Sequence, residues 1–264
     1  MLASSNVNTL FDPTGCEIGL LLATPVLQGS GVFLNPLGVV NAASGAPGLD
    51  AISPGEFIAL YGTGLAASTQ TALPPYPTSV NGVSVTIGGI SAPGRLVSAG
   101  QINCLLPCGV SGSSVAVAVN NKGTFSNTVS IPLAATAPGI FTLDSTGTNS
   151  AAVLHLDGSL VNAASPAKKG EIVAMYLTGL GALSTAVPDG QGATAANAVK
   201  APLQLLVNGT LVAAAGLLYA GLSSLAGLYQ INFRVPVNLT VSGTLPVAVL
   251  TAEAFHDQVS LAVQ

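Results

Sequence analysis

Short apolar runs, alternating or continuous, recur along the chain between clusters of Gly, Pro, Asn and Ser. Examples are "EFIALYGTGL" (56–65), "VSVTIGG" (83–89), "SVAVAVNN" (114–121) and "TVSIPL" (128–133). A period of two puts alternate side chains on one face, so each run predicts a strand with one side against a core. Helical periodicity is missing throughout. Short strands at this spacing, about seven to a module, predict two-sheet sandwiches. The longest apolar runs, Ile18–Val26 and Leu211–Leu222, fall short of the ~20 residues that span a bilayer and read as core strands. Asp157-Gly158 in "LHLDGSLV" is the strongest hairpin signal, because Gly takes the positive φ of a tight turn.

The pattern occurs twice. "GVFLNPLGVVNAAS" (31–44) aligns with "AVLHLDGSLVNAAS" (152–165), and "SPGEFIALYGTGL" (53–65) with "KKGEIVAMYLTGL" (168–180). "GQINCLLP" (100–107) aligns with "YQINFRVP" (229–236), and "FSNTVSIPL" (125–133) with "FHDQVSLAV" (255–263). The spacing between copies drifts along the chain, so strands repeat while loops vary in length. The expected organisation is all-β: two tandem immunoglobulin-like β-sandwich modules at 31–143 and 144–264, preceded by an N-terminal extended segment at 1–30. In "VVNAAS" and "LVNAAS", Val40 and Val161 are expected to face a core and Asn41 and Asn162 to hydrogen-bond a turn. Ala-Ala-Ser would let the chain pass close to a neighbouring sheet.

The repeated blocks, together with "SAGQIN" (98–103), "AATAPGIFTL" (134–143), "VPDGQ" (187–191), "LYAG" (218–221) and "GLYQINFRVP" (227–236), resemble the Solibacter-type uncharacterised C-terminal domain of secreted acidobacterial proteins. The resemblance covers roughly residues 31–264. It implies an extracellular pair of immunoglobulin-like, IPT/TIG-type sandwiches with no assigned catalytic activity. In that family the pair closes a much longer protein, whereas about 30 residues precede it here.

Those residues hold one surplus strand. "CEIGLLLATPVLQ" (16–28) can be laid over the last strand of module 1 and its linker, yet both modules already have a last strand. Ile18, Leu20, Leu21, Leu22, Pro25 and Val26 are the candidate donor residues. Added to a sheet edge on another copy, they would build a head-to-tail fibre; folded onto module 1 of the same chain, they would complete a monomer. The sequence leaves both open.

Charge narrows the choice of partners. Only 6% of the 264 residues are charged, against about 25% in ordinary globular proteins. Six basic residues and a net charge of −4 cannot make the positive stripe that nucleic acid requires. Little charge also means little repulsion between copies, so self-association, or a coat of glycan or hydroxyl groups, is expected. No secretion signal is visible at the N-terminus.

Candidate chemistry is sparse. Cys16, Cys104 and Cys108 lack the paired spacing of a zinc site and are candidates for a disulfide, with Cys104 otherwise a small core residue. His155 and His256 adjoin no nucleophile motif. Glu56 and Glu171 occupy equivalent strand starts and read as solvated strand ends. Asp144, Asp157 and Asp189 lack calcium-loop spacing. The glycines of "YGTGL" and "YLTGLG" read as strand-end turns, since no helix follows to bind phosphate. Asn208 and Asn238 sit in glycosylation sequons. Tyr61 and Tyr176 are repeat-equivalent and read as core, which argues against a sugar platform. No cofactor, metal or catalytic residue is implied. The expectation is a non-enzymatic extracellular structural protein, a filament, pilus-like or surface-layer subunit; the rival is a carbohydrate-binding or adhesion module.

Overall fold

The computed structural model describes residues 7–11, 17–21, 31–46 and 50–264. Before the modules come β1 (Val7–Phe11) and β2 (Glu17–Leu21). Module 1 follows with β3 (Phe33–Asn41), β4 (Phe57–Thr63), β5 (Gln70–Thr71), β6 (Val83–Ile87), β7 (Ile90–Ala92), β8 (Gly94–Val97), β9 (Gln101–Leu105), β10 (Ser114–Asn121), β11 (Thr124–Phe125) and β12 (Val129–Pro132). Module 2 contains β13 (Gly139–Ile140), β14 (Asn149–Ser150), β15 (Val153–His155), β16 (Ile172–Thr178), β17 (Asn197–Ala198), β18 (Gln204–Val207), β19 (Thr210–Leu211), β20 (Leu217–Leu222), β21 (Tyr229–Arg234), β22 (Gly243–Leu250) and β23 (Phe255–Val263).

Each module is a two-sheet sandwich. In module 1, β3-β4-β9-β8-β5 faces β11-β10-β6-β7 with β12 on β10; in module 2, β13 and β15 flank β16-β21-β20-β17, opposite β14-β23-β22-β18-β19. The repeat thus reappears as topology, β4 and β9 matching β16 and β21. Alternation does the sorting: Val115, Val117 and Val119 point inward from β10, and Leu245, Val247 and Val249 from β22. Each such buried aliphatic side chain contributes about 1.5–3 kcal/mol of apolar transfer, and each module has a separate core.

Two sequence expectations shift and a third holds with an addition. β13 pairs with β16 and Ile140 joins the second core, so the module boundary falls before residue 143. The run Leu211–Leu222 is not one strand: β19 ends at Leu211, a 3-10 turn spans Ala214–Gly216, and Leu211 and Leu218 are exposed. Asp157-Gly158 does lie in a hairpin, with Gly158 at φ +85°. The tighter two-residue turn is Asn208-Gly209, at φ +47° and +72°, which joins Val207 to Thr210 and matches a type I′ hairpin.

Candidate functional site at the module junction

Module 2 docks on the outer face of the β4-β9 sheet. Phe57 of β4 and Leu105 of β9, directly opposite one another, close over Ala226 of module 2. The Tyr76 ring meets Phe57 edge-on at 5.9 Å. Polar bonds lock the contact: Phe57 N donates to Thr178 Oγ1 (2.8 Å), whose hydroxyl donates to Gly227 O (2.9 Å). Tyr76 N donates to Gly190 O (2.9 Å) and Cys108 N to Asp189 Oδ1 (3.0 Å). Gly227, at φ +71°, has no room for a side chain, because a Cβ there would strike Leu105 and the Phe57 ring. Ala135 N and Thr136 N of the linker both donate to Glu253 Oε2. The junction is therefore a packed contact rather than a flexible tether.

Its centre is the first copy of the repeated string. Asn41 Oδ1 accepts from Ala43 N (2.9 Å) and Ser44 N (3.1 Å), forming the expected turn, while its Nδ2 donates to Ala137 O of the linker (3.1 Å). Val40 departs from expectation: Val39 enters the core and Val40 lines the outer face. Next to Asn41, Glu56 is fully buried, not solvated. Its Oε2 accepts from Ser53 N (2.7 Å) and Ser53 Oγ (3.2 Å), but Oε1 has no partner among the described residues. Burial pushes its pKa up to about 8 against the pull of the Ser53 hydrogen bonds and the nearby Asn41 amide, so the carboxyl is neutral over the acidic and neutral range.

Beside the buried contact, the same sheet face forms the floor of a cleft of about 530 Å³. Strand parity decides its lining: Ile58, Leu60, Ile102 and Cys104 point inward, leaving Ala59, Tyr61, Gln101 and Asn103 outward. Tyr61 lies opposite Gln101 and is 43% exposed, so it is no core residue, and Tyr176 is half-buried. Gln101 Nε2 donates to Asn103 Oδ1 (2.8 Å), and Arg95 supplies the only charge among the described lining residues.

The second copy of the string is open. Asn162 builds the same turn, accepting from Ala164 N (2.8 Å) and Ser165 N (3.0 Å), but Ala163, Ala164 and Ser165 are exposed. Glu171 repeats the Glu56 turn through Lys168 N (2.7 Å), and its Oε1 binds His155 Nδ1 at 2.6 Å. Burial raises the Glu171 pKa, but the Lys168 N–H and the His155 bond outweigh it and hold the group below the usual range. The Glu171 bond raises the His155 pKa. Ser165 Oγ lies 3.3 Å from His155 Nε2, so serine, histidine and carboxylate meet in a row that no sequence motif announced. A general base needs its Nε2 lone pair free for the hydroxyl. Here Nε2 also faces Ser165 O at 3.1 Å, which suits a protonated ring donating to that carbonyl. The N–H groups of Ala164 and Ser165 are both spent on Asn162, and Pro166 has none, so this turn supplies no oxyanion donors. The cluster ties the turn to the strand end by hydrogen bonds.

The other sequence-flagged residues are scattered. Cys104 is a buried free thiol in the first core, Cys108 is a free thiol near Asp189, and Cys16 lies outside the described residues. His256 is buried, and desolvation lowers its pKa. Asp144 bonds Thr146 and Asn149, whereas Asp157 bonds Ser159 in a separate loop. Among the described residues no three acidic, histidine or cysteine side chains cluster for a metal. Gly64 and Gly179, at φ +62° and +80°, form the expected strand-end turns. Asn208 and Asn238 are exposed. Of the donor-strand candidates, Ile18, Leu20 and Leu21 fall in β2, which pairs with β1 from Val7↔Leu21 to Phe11↔Glu17; Leu22, Pro25 and Val26 lie outside the described residues. No described helix is long and apolar enough to cross a membrane.

The IPT/TIG domain family model matches residues 47–136, most of module 1. No curated protein matches the chain. Among solved structures, the chain is similar to SGBP-B of the Bacteroides ovatus mixed-linkage glucan utilization locus in complex with a mixed-linkage heptasaccharide (TM-score 0.32, 13% identity, 81% of this chain and 42% of that one). It is also similar to the plexin A4 extracellular region (TM-score 0.28, 10% identity, 96% and 20%). A third similar structure is domains 5–6 of the S-layer protein SbsC (TM-score 0.27, 9% identity, 88% and 98%). The chain spans less than half the length of the first two.

Proposed function

We propose that the chain is a non-enzymatic structural unit of the cell surface or extracellular space, a stiff two-module rod that joins copies of itself head to tail. The observation that carries the reading is the N-terminal hairpin: among the described residues, β1 and β2 pair with each other and with no strand of either module. A lone two-stranded ribbon is marginal in water, and it gains stability when its free edge extends another sheet. A heterologous contact of that kind repeats without closing and gives a filament. The packed junction makes each unit stiff enough for end-to-end growth. Placement outside the cell rests on the family resemblance of the repeated motifs. Glycans on the exposed Asn208 and Asn238 would keep so uncharged a surface hydrated.

Light scattering and negative-stain imaging of the purified chain, with and without residues 1–30, test the reading. Filaments from the full chain and monomers from the truncated one are the expected pair. Monodisperse monomers from both would remove it.

A further inference from the structure

We infer that the cleft beside the junction binds a saccharide bearing a carboxylate, of the uronate class. The volume, about 530 Å³, falls in the range of small-ligand sites, roughly 300–1,000 Å³. Floor and walls come from different modules: Tyr61, Gln101, Asn103 and Arg95 belong to module 1, Phe141 and Leu225 to module 2. The packed junction thus fixes the cleft before any ligand arrives.

Three features select the ligand chemistry. The exposed Tyr61 ring, with Phe141 and Leu225 in the same lining, offers apolar surface suited to the C–H face of a sugar ring. Gln101 spends one N–H on Asn103 Oδ1, which leaves Gln101 Oε1 as an acceptor and Asn103 Nδ2 as a donor on the same face. Adjacent sugar hydroxyls, each able to donate and accept, match such a pair. Arg95 is the third feature. Among the described residues the cleft lining contains no carboxylate and the only ion pair is His155–Glu171. In a chain with six basic residues, a guanidinium left without a carboxylate at a mixed apolar and amide cleft suits a ligand that brings one. Arg with a carboxylate is the strongest neutralising pair available, because its planar fork can bond both oxygens.

Calorimetric titration of the full-length chain with oligogalacturonate and oligoglucuronate, beside the same oligomers with their carboxyls reduced and an oligoglutamate peptide, tests the assignment. Saturable binding of at least one uronate is expected, weakened about tenfold or more by Arg95→Gln and by Tyr61→Ala, and lost on carboxyl reduction. Both positions are exposed or half-exposed, and an unchanged melting temperature shows that the variants fold. Removing residues 1–30 should leave binding intact, which separates this site from filament formation. Absence of heat with both uronates, equal binding of the reduced oligomers or of the peptide, or indifference to both substitutions would overturn it.

Discussion

The two copies of "VNAAS" and the glutamate that follows each build the same local structure and meet opposite surroundings. Asn41 and Asn162 make the same turn bonds, and Glu56 and Glu171 each accept from a backbone N–H three residues earlier at 2.7 Å. The next module covers the first copy, leaving Glu56 fully buried with Oε1 unpartnered. The second copy stays in solvent, where Glu171 pairs with His155. Equivalent neighbours diverge accordingly: Phe57 and Leu105 are buried, while Ile172 is half-buried and Arg234 exposed. One motif therefore serves as a structural turn everywhere and as a docking surface only where its flanks are apolar.

Substitutions at paired positions sharpen this contrast. Phe57→Ala should cost about 3–5 kcal/mol by denaturant unfolding, because the ring closes the junction, whereas Ile172→Ala should cost about 1–2. Equal losses would mean that the junction contributes no more than an ordinary strand surface. Gly227→Val, forcing a Cβ against Leu105 and Phe57 at φ +71°, should loosen the modules and raise the protease sensitivity of linker residues 134–138. Next in size, Asn41→Ala should cost about 2 kcal/mol and Asn162→Ala about 1, since both lose the turn bonds but only Asn41 leaves buried groups unsatisfied at the linker. Smallest, His155→Ala should change stability by less than about 1 kcal/mol, as expected of a partly solvated pair.

What the sequence disclosed follows the range of the interactions. Alternation showed the strands, and repeated spacing showed two equivalent sandwiches and the Asn turns, because those depend on neighbours a few residues away. The burial of Glu56 and Phe57 was hidden: "SPGEF" and "KKGEI" are locally equivalent, and the first differs in having module 2 docked on Phe57 through Thr178 and Ala226, more than a hundred residues downstream. The cleft was half visible. Strand parity sets Tyr61, Gln101 and Asn103 on the face away from Ile58, Leu60 and Ile102, a signal that the expectation of a core Tyr61 passed over; the wall from module 2 left no local trace. Ser165, His155 and Glu171 converge from two turns and a strand end, so no motif search could collect them. The pairing of β2 with β1 was missed because "VNTLF" is too short and mixed to stand out as a strand.

The two glutamates also give opposite pH dependences. Glu56 keeps its proton to about 8 when folded but releases it near 4.5 when unfolded, so it stabilises the fold most fully in acid, and that contribution is lost as pH rises through this window. Glu171, held below its usual range, contributes above the unfolded value, and that contribution is lost as pH falls through its lowered pKa. Carboxyl carbon NMR titration of the folded chain, with Glu56→Gln and Glu171→Gln assigning the two resonances, measures the difference directly. One glutamate is expected to titrate near 8 and its repeat partner below the ordinary carboxylate range. Two coincident titrations near 4.5 would show that the first copy is as open to water as the second and that the junction is not the packed contact described.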